Sequence, residues 1–180
     1  MGLSSNPVLW YTMRASGIVA YVLLSIVVYV GVSLAGRKQR TWPRFAVEDV
    51  HRFGGVLVGT FIWIHIATVA IDTYFPFSLA DVVVPFHASF EPFWTAMGVV
   101  AAELLLALAV TNKLRRRLSH RTWRTLHGLN FVVWLAAAAH GVGSGTDSAS
   151  PWMLAVYLVS IGAITTAVAA RAFRPALARV

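Results

Sequence analysis

Apolar residues fall along this chain in long blocks separated by short polar intervals. Runs at 15–35, 53–71, 93–112, 125–143 and 152–170 are free or nearly free of charge. Each is close to the ~20 residues a helix needs to cross ~30 Å of hydrocarbon. The blocks are too long for strands, and backbone in lipid must satisfy its own hydrogen bonds. The pattern therefore predicts an all-α integral membrane protein, a five-transmembrane-helix bundle with spans at about 13–35, 48–71, 93–112, 124–143 and 152–170. One transmembrane domain would cover residues 1–180. The first run is longer than a signal-peptide core and no positive charge precedes Arg14, so it is read as a span. The longest interval, Asp72 to Pro92, contains DVVVPF, which predicts a short surface or re-entrant element.

Composition strengthens this picture. Hydrophobic residues make up 58% of the chain and charged residues 12%, far from the balance of a soluble domain. Five of the 15 Lys and Arg lie in 36–52, six in 113–124 and three after residue 170, all intervals on one side of the predicted bundle. The positive-inside rule makes that side cytoplasmic, with the N-terminus outside and the C-terminus inside. A net charge of +8 and the run LRRRLSHR would suggest nucleic acid in a soluble protein. Here juxtamembrane arginines fix topology and meet anionic lipid, and no nucleic-acid partner is expected. The chain has no cysteine, which excludes thiolate-held iron–sulfur clusters, covalently attached c-type haem and disulfides.

Candidate chemistry lies in the histidines. HRFGGVLVGTFIWIH and LHGLNFVVWLAAAAH each place one at either end of an apolar stretch: His51 with His65, and His127 with His140. The second and fourth spans run parallel, so His51 and His127 share an inner depth. His65 and His140 share an outer depth about 20 Å away at ~1.5 Å per residue. Fourteen residues return a helix to nearly the same face, whereas thirteen leave His140 about 140° from His127 in an ideal helix. Either the fourth helix is locally overwound or its two rings approach from different azimuths. One tetrahedral metal site would gather its ligands at one depth. Paired imidazoles suit the two axial positions of b-type haem iron, which predicts two haem b, His51 with His127 and His65 with His140. A polar residue hydrogen-bonded across helices is the bland alternative for any single histidine.

Other residues carry two readings each. Gly54, Gly55 and Gly59, with Gly128 and Gly141, leave room for a flat macrocycle or for close helix packing. Arg14 could meet propionates of the outer haem or an anionic substrate, or anchor the first span; Arg52 and Arg124 stand likewise toward the inner haem or topology. Glu103, near the middle of the third span, is a candidate proton relay or acceptor for a ligand histidine, or a protonated structural group. His87 could receive substrate but reads as a surface residue, and His120 as solvated. Trp10, Tyr11, Trp42, Trp94, Trp123 and Trp152 cluster at span ends and read as interfacial anchors.

The two histidine stretches resemble the ferric reductase-like transmembrane domain shared by ferric reductases and NADPH oxidases, over roughly residues 47–170. In that family, too, one helix carries histidines 14 apart and another 13 apart. The resemblance implies two stacked haems passing electrons across the bilayer, within a cell-membrane, multi-pass subunit. Eukaryotic members have a further span and a cytosolic flavin and NADPH domain. GGVLVG follows no strand and is no dinucleotide loop, so FAD or FMN would sit on a partner. Oxidases carry another outer histidine one turn beyond the external ligand, and Val69 stands there, so superoxide production is not expected. The expectation is a di-haem electron conduit taking electrons from a cytoplasmic flavoprotein, another redox subunit or quinol, with quinone as a further candidate cofactor. A non-catalytic subunit that binds haem or moves haem or metal is the alternative.

Overall fold

The computed structural model describes residues 7–34, 43–72 and 77–177, with side chains as far as 173. Ala35, Arg37, Lys38, Arg40, Trp42, Pro76 and Arg179 lie outside the described residues. Among those described the chain is helical and has no strand: α1 Pro7–Leu34, α2 Arg44–Ile71, α3 Leu79–Val83, α4 Pro92–Lys113, α5 His120–Gly128, α6 Asn130–Ser144 and α7 Pro151–Leu177. Five segments are long and apolar enough to span a membrane: α1, α2, α4, α5 with α6, and α7 to Phe173. The described residues thus form a membrane protein domain with five helices able to span a bilayer. The helices run several residues beyond the apolar blocks at the starts of α1, α2 and α5 and at the end of α7, because helical hydrogen bonding continues through the head-group layers where polar side chains are tolerated.

α1 is the hub. Its buried residues Ser16, Ala20, Tyr21, Leu24, Ser25, Val28 and Val32 recur at helical spacing along one face. It packs along α2 and also meets α6 and α7, while α4 packs along α6. Tyr21 stacks edge-to-face on Tyr157 of α7, with ring centres 5.3 Å apart. The buried Trp134 indole N–H donates to Ser25 Oγ at 2.9 Å, tying α6 to α1. Val58, Val133, Leu108 and Ile164 close the same core. Gly54 of α2 is needed for this packing, since a Cβ there would lie 2.6 Å from Val27. By contrast α2 and α6, which carry His51, His65 and His140, are not packed along one another, which leaves a gap between them.

The predicted surface element is a five-residue helix, α3, closed by a capping box between Ser78 and Asp81. The fourth span is not continuous. Leu129 separates α5 from α6, and its N–H bonds Leu126 O at 2.9 Å, an i to i−3 contact that tightens the turn. Overwinding is thus present just after His127. One tightened turn adds roughly 20° per residue over an α-helical step, so it accounts for part of the 140° mismatch and the ring azimuths for the rest.

Candidate functional site

Two histidine pairs form in the gap between α2 and the fourth span. The ring centres of His51 and His127 are 6.0 Å apart, with the planes at 66°. Those of His65 and His140 are 6.2 Å apart, at 74°. The first pair lies at the end of the bundle carrying Arg52, Arg115–Arg117 and Arg124, called here the basic end; the second lies at the far end. The described residues contain no cluster of three or more His, Asp or Glu that could enclose a metal ion.

Three of the four rings are oriented by one device. The Nδ1–H of His65 donates to Met13 O at 2.9 Å, that of His51 to Val27 O at 3.1 Å, and that of His140 to Trp94 O at 3.0 Å. These carbonyls belong to α1 and α4, helices without histidine. A helical carbonyl is normally screened by the side chain four residues on, which lies over the same face. In all three cases that residue is glycine: Gly17, Gly31 and Gly98. A Cβ at Gly17 would lie 3.1 Å from His65 Nδ1, one at Gly31 would lie 3.0 Å from His51 Cε1, and one at Gly98 would lie 2.7 Å from His140 Nδ1. Each imidazole therefore rests in a notch left by a missing side chain. With Nδ1 committed as donor in these three rings, Nε2 keeps its lone pair and is the nitrogen available as a metal ligand.

The notches also fix register. α1 and α2 are antiparallel, so His51 and His65, fourteen apart, meet Val27 and Met13, also fourteen apart. Sequence reasoning missed these glycines because no chemistry-bearing residue adjoins them; their signal was the matched spacing of Gly17 and Gly31.

Cavities flank both pairs. One of about 300 Å³ beside His65 and His140 is lined mostly by apolar groups, among them Tyr21, Leu24, Ile62 and Met153. Val69, where an oxidase-type histidine would stand, also lines it. A smaller one of about 160 Å³ borders His51 between α1 and α2. Gly55, Gly59 and Gly128 face open space, and a Cβ at any of them would have no neighbour within 4 Å. Gly141 instead packs against the Tyr157 hydroxyl.

Arg14 does line the far-end cavity, but it is engaged: its guanidinium forms an ion pair with Asp147, including an Nε–H to Oδ2 bond at 3.1 Å, and lies 4.0 Å over the Trp10 ring. Arg52 and Arg124 are exposed. Glu103 is exposed on the side of α4 away from the core, and it reaches no histidine; the rings of His51, His65 and His140 take their acceptors from backbone. His87 is a surface residue that pairs with Asp81 at 2.7 Å. Two hydrogen bonds from Ser78 and one from His87 hold the Asp81 carboxyl down to about 2, the Ser78 hydroxyl first. Trp123 is more than an interfacial anchor: its ring stacks on His127 with centres 5.0 Å apart and planes at 21°.

A family model for the ferric reductase like transmembrane component matches residues 16–138, about two thirds of the chain, and includes His51, His65 and His127. His140 lies just beyond the matched segment. No curated protein and no solved structure matches the chain.

Proposed function

Because the chain belongs to the ferric reductase like transmembrane component family, a group of membrane redox components, we propose that it is a di-haem b-type cytochrome subunit that conducts electrons across the cell membrane. The observation that carries this reading is the ring separation within the two pairs. Two imidazoles on one iron, with bonds of about 2.0 Å and ~1.1 Å from each nitrogen to its ring centre, would have ring centres about 6.2 Å apart. The two pairs measure 6.0 and 6.2 Å. The donor set fits as well: four imidazoles, three of them with Nδ1–H bound to a carbonyl, a largely apolar cavity beside the far-end pair, and a gap between the helices that carry them.

In this account His51 and His127 hold one haem at the basic, cytoplasmic end, and His65 and His140 hold the other toward the outside. Haem supplies a one-electron ferric/ferrous couple when bound. The protein's part is spacing and exclusion of water. Two centres about 20 Å apart along the helices divide a crossing of ~30 Å that is too long for one short hop. Apolar groups such as Leu24, Ile62 and Met153 line the cavity beside the far-end pair. Electrons come from a flavoprotein, another redox subunit or quinol at the cytoplasmic face, and leave to ferric iron, a redox enzyme or a flavin domain outside.

The pairing is tested by four substitutions in the purified protein. His51→Ala and His127→Ala should each remove the same haem and leave the other, and His65→Ala and His140→Ala should remove the second. Loss of different haems by His51→Ala and His127→Ala would refute the proposal.

A further inference from the structure

His127 is the exception among the four rings. No backbone carbonyl among the described residues accepts from its Nδ1, whose one polar neighbour is the Asn130 amide nitrogen at 3.5 Å, at the limit of a hydrogen bond. That amide donates instead to His127 O at 2.7 Å. Register explains the missing carbonyl. The alignment that sets Trp94 against His140 would set Ala107 of α4 against His127, thirteen residues further on. Four residues beyond Ala107 stands Thr111, not glycine, so no notch opens there. His127 also ends a helix of only nine residues, set off from α6 by the tightened turn at Leu129.

A different set of contacts holds this ring. Trp123, one turn earlier on α5, lies nearly parallel against it. The indole N–H donates to Asn112 Oδ1 at 2.9 Å, which anchors the indole to the end of α4. The Arg115 guanidinium lies 4.5 Å from the centre of the same indole. A cation over the ring face and a hydrogen bond at its edge leave the indole little freedom. His127 is thereby held by stacking where its three counterparts are held by a directed N–H···O bond.

We propose that Trp123 is the positioning residue for His127, replacing the glycine notch and carbonyl that orient the other three histidines. The inference rests on the di-haem reading and adds an inequality between its two sites. Ligation at the far end is fixed by backbone from both sides. At the basic end it depends on one side chain, so shortening that side chain should free His127 while His51 stays in its notch.

The experiment uses the full chain with haem in lipid nanodiscs, reduced with dithionite and exposed to carbon monoxide, which binds ferrous haem only where an axial ligand gives way. Wild type should be inert. Trp123→Ala should let about half of the haem bind carbon monoxide, with an affinity at least ~10-fold above wild type. In a His65→Ala background, which keeps only the basic-end haem, nearly all should bind. Trp123→Phe preserves a stacking ring and should restore inertness, and Asn112→Ala should fall between. Two haems in Trp123→Ala that both stay inert would overturn the inference, as would reaction at the far-end haem or failure of Trp123→Phe to rescue. Wild type without haem would instead overturn the di-haem reading itself, so the two failures are distinguishable.

Discussion

A methyl group at Gly98 tests the notch more sharply than removal of a histidine. The Gly98 Cβ position lies 2.7 Å from His140 Nδ1 and 2.9 Å from Cε1 and Cγ, so the whole ring edge is in the way. Non-bonded carbon contacts settle near 3.5 Å, so the ring must retreat by about 0.8 Å. Its bond to Trp94 O, now 3.0 Å, would stretch to about 3.8 Å and be lost. A hydrogen bond of this kind contributes about 1–2 kcal/mol, or roughly 5- to 30-fold in ligand affinity. Changes to the partners of metal-bound histidines typically cost 10- to 100-fold. Helix propensity works the other way, since alanine favours α4 by up to ~1 kcal/mol over glycine. Gly98→Ala should therefore keep a stable helix and lose far-end haem at least about 10-fold faster to an apoglobin acceptor, with the basic-end haem unchanged. Gly17→Ala, at 3.1 Å from His65, should give a smaller effect at the same haem. Equal retention of both haems by Gly98→Ala and wild type would refute the reasoning.

Three other outcomes are expected. Arg14→Ala and Asp147→Ala break a partly exposed ion pair that joins α1 to the α6–α7 turn, and each should lower stability by about 1 kcal/mol in thermal unfolding. The double variant should lose no more than either single one; full additivity would mean that the pair contributes nothing. Glu103→Gln should leave haem content and haem-to-haem electron transfer unchanged, because the carboxyl faces away from both pairs, and a loss of transfer would restore it as a relay. Glu103→Leu should raise stability in lipid by roughly 1–3 kcal/mol. Finally, Asp81 has a folded-state pKa near 2 against an ordinary 3.8, so its contribution is complete above the latter and lost as pH falls through the former. Protection of the α3 amides relative to their intrinsic exchange rates should fall between about pH 4 and 2, and Asp81→Asn should abolish that dependence.

The sequence carried the spans and the histidine depths because both are periodic signals written in residue type. A block of about 20 apolar residues has one physical solution in lipid. Two histidine stretches on parallel helices must bring their ends to common depths. Less legible was everything that depends on which backbone group a side chain meets. Gly55 and Gly128 attracted notice as neighbours of the histidines, and they do face open space. Gly17, Gly31 and Gly98 lie on other helices, and only the antiparallel register of α1 on α2 and α4 on α6 gives them meaning. Arg14 showed its exceptional place as the basic residue of the opposite end, but its partner Asp147 is 133 positions away. Trp123 looked like one of several interfacial aromatics until the turn at Leu129 ended α5 and left His127 against it. Part of the unequal spacing of thirteen has a structural counterpart: the fourth span is two helices joined at a tightened turn.

Haem content per chain tests the central claim most directly. The purified protein, extracted in mild detergent and assayed as its pyridine haemochrome alongside a low-temperature electron paramagnetic resonance spectrum, should show two b-type haems per polypeptide, both low-spin and bis-imidazole ligated. One haem, none, or a high-spin centre in the wild-type protein would contradict it.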